Sequence, residues 1–541
     1  MAEKNGNFFK GMLILSVSTI IVKMVSLLFS IPIINIVGPT GFGYFNAAYK
    51  IFAVFNAAAT AGLPIAVSKM VSDAYTLGKI KQADRIYSVA TTFFVSMGAF
   101  FSLLMFFFSK QIAVYLLHMP NANYAIKALA PTIFFCSVMS ATRGYFQGRS
   151  NMMPTAISQT MEAVAKLFVG LGLALYVQKI FGREDLAAAA AIIGVSFSAG
   201  IGALFLVIQK RRQKNKDLRE SLPDEDAEVL SKKQTLKNLL KFAVPITIGA
   251  CFLYAMVAVD TGIAQSRLQN GLGMTEKAAT ALEGLWGSTI KIYDIPGAMV
   301  IALSTSVLPA IAAAIARKDY REVRHTTSSA MRITFLISIP CAVAFILLAE
   351  PIGMLFYSRK PEVAASVTWL LPMVAASVIF NAMQYTTNAV MQAMGRTKRP
   401  IIHMGIGAVL KIIMNYFLLV IPELNIGALA ISTVVTDFIV MVLNMWAVYK
   451  LVPKVENPIA MTFPILVSSA VMGGAAYGMY FLLSPILPSL VAFAMTMIVA
   501  IAVYAVMGIF TKAIRAEELR MMPKGDVLIR KFHIYRGLHF E

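Results

Sequence analysis

Apolar blocks of about 20 to 30 residues follow one another along almost the whole of this chain, separated by short polar segments. Each is long enough to cross about 30 Å of hydrocarbon as a helix. Lipid offers no hydrogen-bond partner to a free backbone group, so only helices or a closed barrel can span it. Barrel strands would alternate apolar and polar residues over segments of about ten, and Phe93–Phe108 and Val491–Phe510 show no alternation. The chain therefore reads as an all-α polytopic membrane protein. Its composition agrees: 14% of 541 residues are charged, against roughly 25% in a soluble domain.

About fourteen transmembrane spans are expected, near residues 10–37, 44–71, 86–109, 124–147, 154–178, 187–209, 239–266, 281–315, 326–349, 363–392, 400–421, 426–449, 459–482 and 488–511. Pro32, Pro64, Pro245, Pro296, Pro309, Pro340 and Pro372 fall inside them. Each removes a backbone donor and favours a kink, which suits either a bending transporter or ordinary packing. With the N-terminus inside, the cytoplasmic segments carry roughly five times as many Lys and Arg as the outer ones. Examples are Lys79, Lys81 and Arg85, then Arg317, Lys318, Arg321 and Arg324, then Arg396, Lys398 and Arg399. Both termini and the Lys210–Lys241 loop are thus expected in the cytoplasm.

The net charge of +21 would suggest nucleic acid in a soluble protein. Here the positive-inside bias accounts for it, and no nucleic-acid partner is expected. Cys136, Cys251 and Cys341 lie in apolar blocks and form no CxxC pair, and the five histidines show no HExxH or zinc spacing. No metal or other cofactor is therefore expected. Met1 to Lys10 leads straight into a long span, so no cleavable signal is read there. The longest loop joins a basic run, Lys210 to Lys216, to an acidic patch, Asp224-Glu225-Asp226. It reads as a solvated linker or as a basic helix facing phospholipid.

An internal repeat flanks that loop. Leu63-Pro64-Ile-Ala-Val-Ser-Lys69 has a counterpart in Leu308-Pro309-Ala-Ile-Ala-Ala-Ala314, and each precedes a basic loop. Gln147-Gly148-Arg149 through Pro154 leads to Lys166, as Gly395-Arg396 through Pro400 leads to Lys411. The offset stays near 245 residues. A shift by an even number of spans preserves orientation, so the repeats are parallel, as in transporters with two six-helix lobes and the substrate between them. The expected organisation is an N-lobe over 1–209, a linker over 210–238 and a C-lobe over 239–450. Two appended helices follow over 451–511, then a basic cytoplasmic tail over 512–541.

Ionisable residues inside spans are costly and usually functional. The cations are Lys23, Lys50, Lys166, Lys291 and Lys411; the anions are Glu162, Asp260, Asp294 and Asp437. Glu162 and Lys166 are spaced for pairing along one helix face, and Asp294 stands one turn from Lys291. Lys166 and Lys411 are repeat mates, which allows a shared structural role. Lys23 and Lys50 have no acid one turn away, so with Lys291 they are candidates for an anion-binding cavity. Snorkelling to lipid phosphate, or pairing with an acid on another helix, is the alternative.

Three segments carry a resemblance: Gly38-Pro-Thr-Gly-Phe-Gly43-Tyr44; Gly62-Leu-Pro64-Ile-Ala-Val-Ser68-Lys69; and Arg143-Gly-Tyr-Phe-Gln147-Gly148 with Pro154-Thr-Ala-Ile-Ser158-Gln159. They resemble the multidrug/oligosaccharidyl-lipid/polysaccharide exporter superfamily. Within it they resemble the branch of Gram-positive lipid II flippases and stage V sporulation protein B. The resemblance implies two lobes working by alternating access in a bacterial plasma membrane. It also implies a polyprenyl-pyrophosphate-linked cell-wall precursor as substrate. Lys23 and Lys291 resemble cavity arginines of lipid II flippases, and Lys50 a lysine of the second span. Lys291-Ile-Tyr-Asp294-Ile-Pro296 fits the eighth-span pattern of base, polar or acidic residue, then proline. The chain departs from the family in having Lys where Arg is usual, a point charge in place of a bidentate fork. The resemblance further implies a lipid-tail groove at the last two spans and a cation site for which Asp260 and Asn415 are the candidates.

The expected function is therefore a flippase, with Lys23, Lys50, Lys291 and Asp294 binding the substrate. Membrane lipids are expected at its surface, and the protein is expected to be a monomer. No Walker A motif occurs, so the expected drive is the membrane potential or a Na+ or H+ gradient. A multidrug/cation antiporter of the same superfamily is the first alternative. A membrane enzyme on lipid-linked sugars would need an acid/base constellation in the outer loops, where the short loops after spans 1, 11 and 13 offer only Glu423. A purely structural membrane protein is the last alternative.

Overall fold

The computed structural model describes residues 2–220 and 229–515. The acidic patch at Asp224–Asp226 and nearly all of the expected basic tail lie outside them. The described residues hold helices and no strand. We number the main helices α1 (Ala2–Thr60), α2 (Leu63–Thr76), α3 (Ile80–Phe107), α4 (Ala122–Gly148), α5 (Met153–Phe181), α6 (Glu184–Glu220), α7 (Lys232–Gly271) and α8 (Glu276–Ala316). They continue with α9 (Tyr320–Leu347), a short α10 (Ala349–Tyr357), α11 (Pro361–Ala393), α12 (Lys398–Leu418), α13 (Gly427–Leu451), α14 (Pro458–Leu483) and α15 (Ser489–Phe510).

Thirteen helical stretches among the described residues are long and apolar enough to cross a membrane. The first, Ile21–Thr76, has 56 residues, far more than the roughly 20 that one crossing needs. It is broken at Gly38, where φ is 71° and ψ is 176°, a backbone state that only glycine reaches cheaply. The stretch supplies two crossings, and the number rises to the expected fourteen. The turn between them is shorter than expected, because helix resumes directly at Pro39. A second break follows at Ala61-Gly62, and α2 restarts with Pro64 in its first turn, where a missing N–H costs nothing. Pro64 therefore opens a helix instead of kinking one.

Other ends follow local sequence. Ser231 caps α7 by accepting the Gln234 N–H, Asp319 caps α9 by accepting that of Glu322, and Gly182 closes α5 in the left-handed region. The basic run after residue 209 is not a linker at its start. It continues α6 to Glu220, and Lys210 is buried, 2.8 Å from the Asp84 carboxylate and above the Tyr145 ring.

The chain divides into two compact units. Unit 1 comprises Met1–Ser288 and Ile412–Asn425, and unit 2 comprises Thr289–Lys411 and Ile426–Glu541. This packing boundary falls inside α8, so α7 and the start of α8 belong with the expected N-lobe. Unit 1 has a core of Val67, Val71, Ile86, Phe94, Tyr145 and Leu206, against which α7 sets Leu239 and Ala243. The Arg143–Gly148 segment is legible in that packing. A Cβ on Gly144 would stand 2.9 Å from the Pro64 carbonyl oxygen, and one on Gly148 would stand 2.6 Å from that of Ser68. The two glycines, one turn apart, let α4 lie directly on α2.

Unit 2 packs Ile311, Met331, Phe335, Val390 and Val448 with Met461 and Ile465 of α14. Glu456, just before α14, accepts from Arg332 of α9 at 2.5 Å and also pairs with Arg515 beyond α15. Within the apolar region the Tyr504 hydroxyl of α15 donates to the Leu336 carbonyl of α9 at 2.9 Å.

Candidate functional site

Among the expected substrate-binding residues, unit 1 contains Lys23 and Lys50, and unit 2 contains Lys291 and Asp294. Lys23 is exposed on α1, one turn beyond Thr19. Thr19 lines a cavity of about 230 Å³ within unit 1, together with Arg143 of α4 and Gln159, Glu162 and Lys166 of α5. Glu162 also has a partner on another helix. Arg143 reaches across from α4 and donates to Glu162 at 3.2 Å and to the Ser158 hydroxyl at 3.2 Å. Lys166 donates to the Ser26 hydroxyl at 3.3 Å and lies over the Phe29 ring. A π-helical turn at Lys166–Gly170 offsets this part of α5 from the regular four-residue register.

Lys50 does not carry the unpaired charge expected of it. Its ammonium donates to Glu283 of α8 at 2.5 Å and to the Thr261 hydroxyl of α7 at 2.8 Å. Glu283 is 2% exposed, so this is a desolvated ion pair. The Thr261 hydroxyl in turn donates to the Val257 carbonyl at 3.1 Å, so Lys50 ties the carboxylate to α7 and stands in for part of its lost water.

Asp260 and Asn415, the candidate cation ligands, are brought together. The Asn415 amide N–H donates to the Asp260 carboxylate at 2.6 Å. Asn415 is fully buried, and its amide oxygen has no hydrogen-bond donor. A buried acceptor left unmatched beside a carboxylate is a natural seat for a small hard cation. The two oxygen-bearing side chains alone do not complete a coordination shell, and no group of three or more His, Cys, Asp or Glu suited to a metal occurs among the described residues.

In unit 2, Lys291 is half-buried and Asp294 is exposed one turn later. Tyr293, between them, turns inward and is buried. Its hydroxyl reaches Ser377 at 3.0 Å and Asp437 at 3.3 Å. In the sequence Asp437 is one intramembrane acid among several, with nothing to mark a role. The roles of Glu283 and Arg143 likewise come from partners on other helices. The available signal for Arg143 is its place, five residues inside the end of α4 and beyond the apolar run from Ala128 to Val138.

A family profile described as polysaccharide biosynthesis protein matches residues 8–314. The chain belongs to that family. A second profile, MatE, matches residues 284–417. Over its length the family member is 25% identical to stage V sporulation protein B of Bacillus subtilis (strain 168), covering 97% of this chain and 99% of that one. It is 24% identical to lipid II flippase MurJ of the same organism, covering 87% and 88%. Its fold matches a solved structure of lipid II flippase MurJ in an inward closed conformation, with a TM-score of 0.64 at 16% identity over 92% of this chain and 99% of that one. The protein is thus a multi-pass membrane protein of the polysaccharide biosynthesis protein family.

Proposed function

We propose that this protein is a flippase that carries a polyprenyl-diphosphate-linked cell-wall precursor outward across a bacterial plasma membrane. The observation that carries the reading is the charge of the unit 1 cavity. Arg143 and Lys166 line it, with Lys23 one turn from its Thr19 wall, against the single carboxylate of Glu162. Positive charge held among membrane-spanning helices is expensive unless an anion matches it. A diphosphate is such an anion, and it cannot enter hydrocarbon uncompensated.

In this mechanism Lys23 and Lys291 replace water around the diphosphate, and Asp294 limits the net charge of its lysine. Lys50 joins them only by exchanging Glu283 for phosphate. The polyprenyl tail stays in lipid beside α14 and α15. Binding favours one conformation by differential contact and so moves the cycle forward. Each charge carried through the field contributes about 2.3 kcal/mol per 100 mV. Asp260 and Asn415 hold a coupling cation. The protein acts as a monomer and performs no bond chemistry.

The MatE match favours a second reading, antiport of cationic drugs. Such a substrate calls for a free carboxylate in its cavity, whereas Glu162, the acid that lines the unit 1 cavity, is held by Arg143. Depleting the protein and identifying the lipid-linked intermediate that accumulates on the inner leaflet tests the two together. Accumulated lipid-linked disaccharide is the expected result. No accumulation, with lost efflux of cationic dyes, would favour the antiporter.

Two further outcomes follow from the same reading. In a cysteine-free background, single cysteines at the exposed positions Glu423 and Pro485 should label from outside, and one at the exposed Asn215 should label only after permeabilisation. Labelling of Asn215 in intact cells would reverse the orientation. For the cation pair, sodium chloride should raise the melting temperature of purified protein by roughly a few degrees over N-methylglucamine chloride, since a ligand of the folded state stabilises it. Asp260→Asn should lose that increment. An equal increment in the variant would remove Asp260 from the site.

A further inference from the structure

Asp437 of α13 lies in the middle of a membrane-spanning helix and, among the described residues, accepts its hydrogen bonds from neutral groups. The Ser377 hydroxyl donates to its Oδ2. The Gln384 amide donates to Oδ1 at 3.1 Å, and the Tyr293 hydroxyl reaches Oδ2 at 3.3 Å. Lys411 of α12 is the cation whose field reaches it, and Asp294 and Tyr385 are the other titratable groups nearby. The side chain is partly exposed.

The two hydroxyls are what make the place reversible. Tyr293 and Ser377 are within 3.0 Å of each other, and either can be the donor. A hydroxyl both gives and accepts. Around the ionised carboxylate both point their hydrogens at it. When hydronium delivers a proton, one O–H bond forms on Asp437, and the new acid donates to a hydroxyl oxygen that turns its own hydrogen to the other. Every polar atom keeps a partner in both states. An amide or a lysine in place of the hydroxyls would satisfy only one of them.

We infer that Asp437 is a proton-binding site of the transport cycle, with Tyr293 as the positioning residue that couples its protonation to the Lys291–Asp294 turn of α8. The inference deepens the proposed function, since a coupling proton presupposes a transport cycle. Protonation loosens the bond between Tyr293 and Asp437. Tyr293 is two residues from Lys291 and adjoins Asp294, so the change is felt in the turn that carries the substrate-binding lysine.

Infrared difference spectra of the full-length protein in proteoliposomes, taken through a pH titration without substrate, read the site directly. We expect a carboxylic-acid C=O band that grows as pH falls and is missing in Asp437→Asn. In Tyr293→Phe, which removes one donor from the ionised form, the midpoint of that band should move to higher pH by about 0.5–1 unit. If every pH-dependent acid band survives in Asp437→Asn, or the midpoint is unmoved in Tyr293→Phe, the inference is overturned and Asp437 is only a counter-ion for Lys411. No substrate is present, so a wrong substrate assignment leaves this result intact. Transport of lipid II by the same vesicles then tests the cycle. Its dependence on an imposed pH gradient should vanish in Asp437→Asn, and retained dependence would refute the coupling.

Discussion

Lys291→Ala should lower flipping of lipid II in proteoliposomes by more than about 100-fold while leaving the amount of protein in the membrane unchanged, and Lys291→Arg should keep a measurable rate. Removing the partner of a charge inside a low-dielectric site costs about 3 kcal/mol or more, and 1.36 kcal/mol is tenfold in rate. Lys291 is half-buried on α8, one turn from Asp294, so its loss also leaves that acid without its nearest base on the helix. Arg restores the charge and adds a fork suited to phosphate. Near-normal transport by Lys291→Ala, measured at matched protein levels, would remove the anionic-substrate mechanism and leave the fold untouched.

The largest effect on stability is expected at Lys50. Lys50→Ala strands the carboxylate of Glu283, which is 2% exposed. Breaking a buried pair by deleting one member costs about 3–5 kcal/mol, whereas replacing both members is often close to neutral. The double variant Lys50→Ala/Glu283→Ala should therefore be more stable than Lys50→Ala, as read from denaturation in detergent through a double-mutant cycle. If Lys50 served only the substrate, Lys50→Ala would denature like the wild type, and the pair would have no structural weight. Transport separates the roles again. The double variant should fold and still flip slowly, because the lysine needed for exchange with phosphate is absent.

What could be read in advance, and what could not, divides along physical lines. Span positions depend on local hydrophobicity, so the expected helices and the family segments lie where α1 to α15 place them. The glycines of Arg143–Gly148 are also local, and their role is visible once α2 is known to pass beneath them. Pairings are a different matter. Lys50 and Glu283 are 233 residues apart, and spacing along one helix says nothing of a partner on another. Spacing along α5 points to Lys166 for Glu162, and it cannot show that Arg143 on α4 reaches the same carboxylate. Lys210 was hidden for another reason. It opens a basic run whose later members Lys214 and Asn215 are exposed, and composition cannot show that its first residue turns inward to Asp84. The Asp260–Asn415 contact was anticipated as a pair of candidates, while its unmatched amide oxygen is visible only in three dimensions.

The clamp at Glu456 bears on how force travels. Arg332 grips it from α9 and Arg515 from beyond α15, while Tyr504 is tied to the α9 backbone. α14 and α15 lie within unit 2, and these ties resist their sliding along α9. They behave as an outrigger bolted to a hull. A displacement of α9 is therefore passed on to α14 and α15, and the three helices answer to force as one body.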